Sequence, residues 1–160
     1  MIRRFYSLVF VRDTVNRKVL LGLKKRGFGK FKWNGLGGKV QPGESILDSA
    51  KRESKEEANV DLTHLKYVGY LEFLFENDTE TILTTHVFCS DQYSGNITES
   101  EEIRPQWFNY DNIPFDNMWK DDIYWFHFML SDKLFKGRFY FKADQETIEN
   151  YELNEVEKLE

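Results

Sequence analysis

An α+β fold, a mixed β-sheet with helices packed against it, is predicted by three observations. Short apolar or alternating runs bounded by turn residues recur along the chain, two segments carry helical periodicity, and 160 residues suffice for one domain with a real core. Strands are expected at Phe5 to Val11, Lys18 to Lys24, Lys66 to Phe75, Ile82 to Ser90 and Arg104 to Tyr110, with two more near Leu134 to Phe141 and Thr147 to Leu153. The first helix is expected over Ser45 to Ala58, where Pro42 and Gly43 turn the chain and Ser45 followed by Asp48 resembles a capping box. The second spans Asp121 to Ser131, set off by Pro114 and the turn-rich "DNIPFDN". Between them "RGFGKFKWNGLGGK" reads as a glycine-rich loop longer than a turn requires, of the kind that lines a site. The acidic end "NEVEKLE" reads as frayed or solvated.

Composition narrows the function. An aromatic content of 16% points to a core rich in Phe, Tyr and Trp. A net charge of −5 without a basic stripe argues against a nucleic-acid polymer as partner, because phosphate backbones attract a basic face. A small anion stays compatible with that charge if a metal neutralises it. The single cysteine, Cys89 in "HVFCS", reads as a small buried apolar group in a reducing compartment. No apolar run reaches the length of a membrane span, and "MIRRFYSLVFVRD" breaks into charge too soon for a signal peptide, so a cytoplasmic protein is expected, with nuclear or mitochondrial pools open to it. The histidines His64, His86 and His127 are scattered and no Cys or His spacing suits zinc. Gly35, Gly37 and Gly38 lack the Walker and dinucleotide patterns and read as points of close backbone approach.

The first helix carries the chemistry. Ile46, Leu47, Ala50, Ser54 and Ala58 form one small or apolar stripe, Lys51 and Lys55 face the opposite side, and Glu53, Glu56 and Glu57 share a face beside the stripe. Three carboxylates at that spacing repel one another and ask for a positive charge between them. Hard oxygen ligands in this number suit Mg²⁺ or Mn²⁺, and Mg²⁺ is commonly shared between a few carboxylates and substrate phosphates.

Gly38, five residues, Glu44, seven residues, then Arg52-Glu53-Ser54-Lys55-Glu56-Glu57-Ala58-Asn59-Val60 resembles the Nudix box. Ser54 stands where the box has an aliphatic residue, and Asn59 stands where it has the helix-ending glycine; Asn is the next best residue for a left-handed cap. The resemblance implies a Nudix fold in which Glu53, Glu56 and Glu57 hold a divalent metal, Arg52 orients them, Gly37 offers its carbonyl, and water attacks a diphosphate linked to another group. Glu57 is then the first candidate for general base, with Glu102 of "ESEEIRPQWF" a second candidate or further metal ligand. Glu99 and Glu101 read as ordinary acids of an acidic loop.

Segments from about Tyr6 to about Val156, among them "LLGLKKRGFGKFKWNGLGGKVQPGE", "IPFDNMWKDDIYWF" and "LFKGRFYFK", resemble the oxidised purine nucleoside triphosphatases of that family, the MutT-homologue branch. That resemblance implies that Asn34 bonds one purine edge, Asp121 and Asp122 the other, and Trp119 stacks on the ring. Phe28, Phe73 and Leu83 would complete an apolar sleeve, with Ser7 and Lys24 near base or sugar and Gly38 and Lys39 alongside the substrate. On the residues alone Asp121 and Asp122 read as helix-capping acids; the resemblance reassigns them. Two adjacent acids facing an aromatic pocket cannot both ionise cheaply, so one donates and one accepts, which suits oxidised guanine or oxidised adenine. Leu83 in place of a frequent Met, and Lys120 in place of a common Pro, mark departures around the base.

The expected activity is a Mg²⁺-dependent hydrolysis of oxidised purine (deoxy)nucleoside triphosphates such as 8-oxo-dGTP and 2-hydroxy-dATP to monophosphate and pyrophosphate, by a monomer that contacts neither nucleic-acid polymer nor membrane. Its rivals are a Nudix pyrophosphatase for another nucleoside diphosphate-linked substrate and a non-catalytic nucleotide-binding module.

Overall fold

A computed structural model describes residues 1–159. Nine strands and two α-helices follow in the order β1 (Ile2–Asp13), β2 (Lys18–Lys24), β3 (Trp33–Asn34), β4 (Leu36–Lys39), α1 (Ile46–Ala58), β5 (Lys66–Phe75), β6 (Asp78–Ser90), β7 (Ile103–Asn109), α2 (Asp122–Leu130), β8 (Leu134–Phe141) and β9 (Ile148–Val156). Among the described residues no helix is long and apolar enough to cross a membrane.

The sheet is mixed, as its sequence pattern predicts. β1 runs parallel to β6 and β5 parallel to β8, while the other pairings are antiparallel. β1 is long enough to serve two neighbours along one side. Tyr6 to Val9 pair with β4, and Arg12 and Asp13 pair with β2, which continues into β3 and β7. Alternation along the strands then sorts the core into two layers. Leu8 and Phe10 of β1 join Trp125, Phe126 and Met129 of α2, whereas Val9 and Val11 join Ala50 and Ala58 of α1. The sheet therefore lies between the two helices, and each buried Phe or Leu contributes about 1.5–3 kcal/mol of apolar transfer energy.

Buried Arg12 fastens β1 to the end of α2. Its guanidinium donates to both carboxylate oxygens of Asp91 at 2.8 and 3.0 Å, to Asp132 at 2.7 Å and to the Met129 carbonyl at 2.7 Å. A charge taken out of water is tolerated here because its donors are partnered.

Four expectations are corrected. The glycine-rich segment is not all loop, for Trp33–Asn34 and Leu36–Lys39 are strands; each is too short to show alternation, and glycines hid the second. Leu47 leaves the apolar stripe and is exposed, because the sheet covers α1 only along Ser49, Ala50, Ser54, Glu57 and Ala58. Asp121 begins the second helix without capping it through its side chain. The chain near Asn154 to Val156 is not frayed but strand, paired with Leu134 to Lys136, and it stays largely solvated as expected.

Candidate active site

α1 starts and stops as its residues dictate. The Ser45 hydroxyl accepts from the Asp48 N–H at 3.0 Å, and Asn59 closes the helix in the left-handed region at φ 58°. Ser54, the polar member of the buried stripe, donates its hydroxyl to the Ala50 carbonyl at 2.8 Å, so it enters the apolar layer without an unpaired group. Before the helix, β4 passes close under it. Gly37 has φ 141°, and a Cβ there would sit 2.0 Å from the Ser7 carbonyl oxygen. A Cβ on Gly38 would lie 2.9 Å from the Glu53 carboxylate. Glycines here let backbone come against the acids.

Arg52 stands among those acids. Its guanidinium takes Glu44 through two bonds of 2.6 and 3.0 Å, Glu53 at 2.9 Å and Glu56 at 3.1 Å. That contact holds the Glu44 carboxyl down at about 2. Glu57 points the other way, into the protein, and accepts the Gly37 N–H at 2.8 Å. Burial pushes its carboxyl up to about 8 against the pull of that N–H, and the charges of Glu53 and Glu102 add to the rise. Burial likewise raises Glu53. Among the described residues no three acids, histidines or cysteines converge on one point: Glu53 and Glu56 turn to Arg52, and Glu57 turns to Gly37. Glu102 pairs with Arg26 at 3.2 Å, at the edge of the segment joining β2 to β3.

A cavity of about 390 Å³ runs from Glu57 to the start of α2. Gly37, Gly38, Lys39, Ser7 and Lys24 line it near Glu57, and Asn34, Phe28, Phe73, Leu83, Trp119, Asp121 and Asp122 line the remainder. Glu53, Glu56, Arg52 and Glu102 lie outside it. Phe28 is 57% exposed and forms a rim, with its ring 4.9 Å from that of Trp119. Tyr6, Lys32, Thr85, Phe75 and Phe141 also line the cavity and were not singled out from the sequence. Period-two alternation could have found three of them, since Phe75 follows Phe73, Thr85 follows Leu83, and Phe141 ends β8. No local signal marks Lys32.

The acid pair is sealed. Asp121 accepts the Trp125 indole N–H at 2.8 Å, and burial raises its carboxyl to about 6. Asp122 is pushed well above the usual range by burial and then by the charge of Asp121. Its Oδ2 is buried with no partner among the described residues. One proton shared by the two acids satisfies both directions, with Asp122 the neutral member.

Fold and box together define a phosphoanhydride hydrolase scaffold, and the chain belongs to the Nudix family: the family described as NUDIX domain matches residues 3–129. It is 50% identical, over 98% of its length and 97% of the relative's, to the oxidized purine nucleoside triphosphate hydrolase of Mus musculus. It is 49% identical, over 89% of its length and 90% of the relative's, to the same-named protein of Danio rerio. Among solved structures, a MutT protein from Bacillus halodurans superposes with a TM-score of 0.82 at 27% identity, covering 94% of this chain and 97% of that one.

Proposed function

We propose that this Nudix protein hydrolyses oxidised purine nucleoside triphosphates to monophosphate and pyrophosphate with Mg²⁺, removing damaged nucleotides from the free pool. The observation that carries the reading is one cavity with a buried, proton-sharing acid pair at one end and Glu57 at the other. Two relatives about 50% identical bear the corresponding name.

The residues fit a divalent cation. Glu53, Glu56 and Glu57 are hard oxygen donors on one helix, and Glu57 is a buried acid whose neighbours Glu53 and Glu102 make its charge costly without a cation. Glu102 and the Gly37 carbonyl lie in the same region as further oxygen donors. A bound Mg²⁺ would offset charge on the phosphoryl oxygens and acidify a bound water. Arg52 keeps Glu53 and Glu56 oriented through its guanidinium. Glu57, ionised once a cation offsets its neighbours' charge, would be placed to take a proton from the attacking water, while the Lys24 and Lys39 side chains offer positive charge to the phosphates. Water adds to a phosphorus of the triphosphate as its proton passes to the base, the anhydride bond breaks, and the departing phosphate oxygen leaves with the bonding pair.

At the other end Asn34 and the acid pair choose the base. The Asn34 Oδ1 accepts the Gly35 N–H at 2.9 Å, which fixes the amide and leaves its NH₂ for a purine edge. Ionised Asp121 accepts a purine N–H, and neutral Asp122 donates to a purine oxygen or nitrogen. Buried polar groups arranged for one pattern reject a mismatched base by about 10⁴-fold, against roughly 10- to 200-fold for an apolar pocket. The test is a turnover panel of unmodified, oxidised and alkylated purine triphosphates, with Mg²⁺ and with chelator. Pyrophosphate and monophosphate should appear from oxidised purines in the Mg²⁺ arm alone; equal use of unmodified dGTP, or release in chelator, overturns the reading.

A further inference from the structure

Trp119 lies in the short segment before α2, and three neighbours set the plane of its ring. Phe28 and Gly29 belong to one segment between β2 and β3. The Phe28 ring is tilted 35° to the indole, and a Cβ on Gly29 would lie 3.4 Å from the indole nitrogen. Phe28 is mostly exposed. The third neighbour is the Lys32 ammonium, 5.1 Å from the ring centroid. Unlike the other two it is fastened outside its own segment, with Nζ 2.9 Å from the Glu146 carboxylate.

Glu146 is itself held in place by the turn between β8 and β9. Asp144 accepts the N–H groups of Glu146 and Thr147 at 2.9 and 2.8 Å, and the Thr147 hydroxyl at 2.6 Å. Gln145 takes the left-handed conformation at φ 59°, and the Lys142 N–H closes the turn on the Thr147 carbonyl at 2.8 Å. The turn thus presents Glu146 at a set place. A partly exposed Lys–Glu pair contributes little to stability by itself. Its consequence is to confine an otherwise free lysine head over an aromatic face, where the ring quadrupole attracts it.

We propose that Lys32, fastened by Glu146, is a positioning residue for base recognition that fixes the Trp119 plate in the wall of the cavity. The inference rests on the purine-recognition reading above. It brings the tip of a hairpin, more than a hundred residues away from Lys32 in sequence, into the choice of base, and Lys32 itself lines the same cavity as the acid pair.

The experiment compares the unaltered protein with Lys32→Met, Lys32→Arg and Glu146→Gln. Calorimetry reads the affinity for 8-oxo-dGMP without metal, and steady-state kinetics reads KM and kcat for 8-oxo-dGTP. Lys32→Met should weaken binding roughly 2- to 30-fold, the range expected for one ammonium over an indole. KM should rise by a similar factor and kcat should fall by less. Lys32→Arg should recover most of the affinity, since a guanidinium also sits on indole and pairs with carboxylate. Glu146→Gln, on an exposed turn that cannot unsettle the core, should give a smaller loss of the same kind. Unchanged affinity in both Lys32→Met and Glu146→Gln overturns the inference, as does an equal loss of kcat and binding that Lys32→Arg does not repair. Failure of the unaltered protein to bind the monophosphate sinks the base assignment itself and the inference with it.

Discussion

The two acidic clusters, one on α1 just outside the cavity and one in its wall, are built on opposite principles. On α1, Glu53 and Glu56 sit around an arginine, with side chains 14% and 59% exposed, and their charges are met by a guanidinium and by water. At the start of α2, Asp121 and Asp122 are 3% and 2% exposed, and between them have the Trp125 N–H, each other, and an oxygen with no partner. The first set is gathered around one guanidinium that balances it. The second cannot hold two charges cheaply and keeps a proton instead, which leaves it both a donor and an acceptor. Glu57 stands between the two designs, an acid of α1 buried like Asp121 and Asp122.

The sharpest way to break this division is Glu57→Gln. It should lower kcat by about 10³-fold, within the range of lost general-base catalysis, while 8-oxo-dGMP still binds. Pyrophosphate release and calorimetry check it together, and a kcat near that of the unaltered protein would remove Glu57 from the chemistry. Next in size is Asp121→Asn. Exchanging a buried acceptor for an amide should cost about 3 kcal/mol of base recognition, about 10²-fold in kcat/KM for oxidised purines. Metal binding, read by Mn²⁺ titration, should change by less than twofold; an equal loss in both measurements would merge the two ends into one unit.

The acid pair also sets a pH dependence. Its carboxyls are raised above their unfolded value of 3.8, Asp121 to about 6, so the folded protein holds a proton that the unfolded chain has released. Stability from Asp121 is therefore complete below about pH 4 and is lost as pH rises through about 6, by about 3 kcal/mol, and Asp122, also raised well above 3.8, adds to the loss. Glu57, raised to about 8, extends the loss in the same direction. Without metal or nucleotide the melting temperature should fall between pH 5 and pH 8, and Asp122→Asn should flatten that fall by removing the carboxyl that burial and the charge of Asp121 raise well above the usual range. A metal-free protein that melts higher at pH 8 would contradict the sealed pair. The smallest effect is expected far from both ends, at the left-handed cap of α1. Asn59→Ala should destabilise by about 1 kcal/mol, a melting shift of about 2–4 °C, with kcat unchanged.

The acidic helix α1 was legible because its information is local. Ser45, Asn59 and the recurrence of Glu53, Glu56 and Glu57 act over one helix, so residue spacing alone specifies which side chains share a face and where the helix ends. The sequence also carried the mixed sheet, through strand runs whose alternation matches the two core layers. Only the tertiary structure decided that Glu57 turns inward to Gly37 while its neighbours turn to Arg52, that Asp121 meets Trp125 rather than capping its helix, and that Lys32 reaches across to Glu146. These depend on which side chains are sealed from water and which donors arrive from distant strands. Burial and long-range pairing are properties of the packed chain, and no window of neighbouring residues contains them.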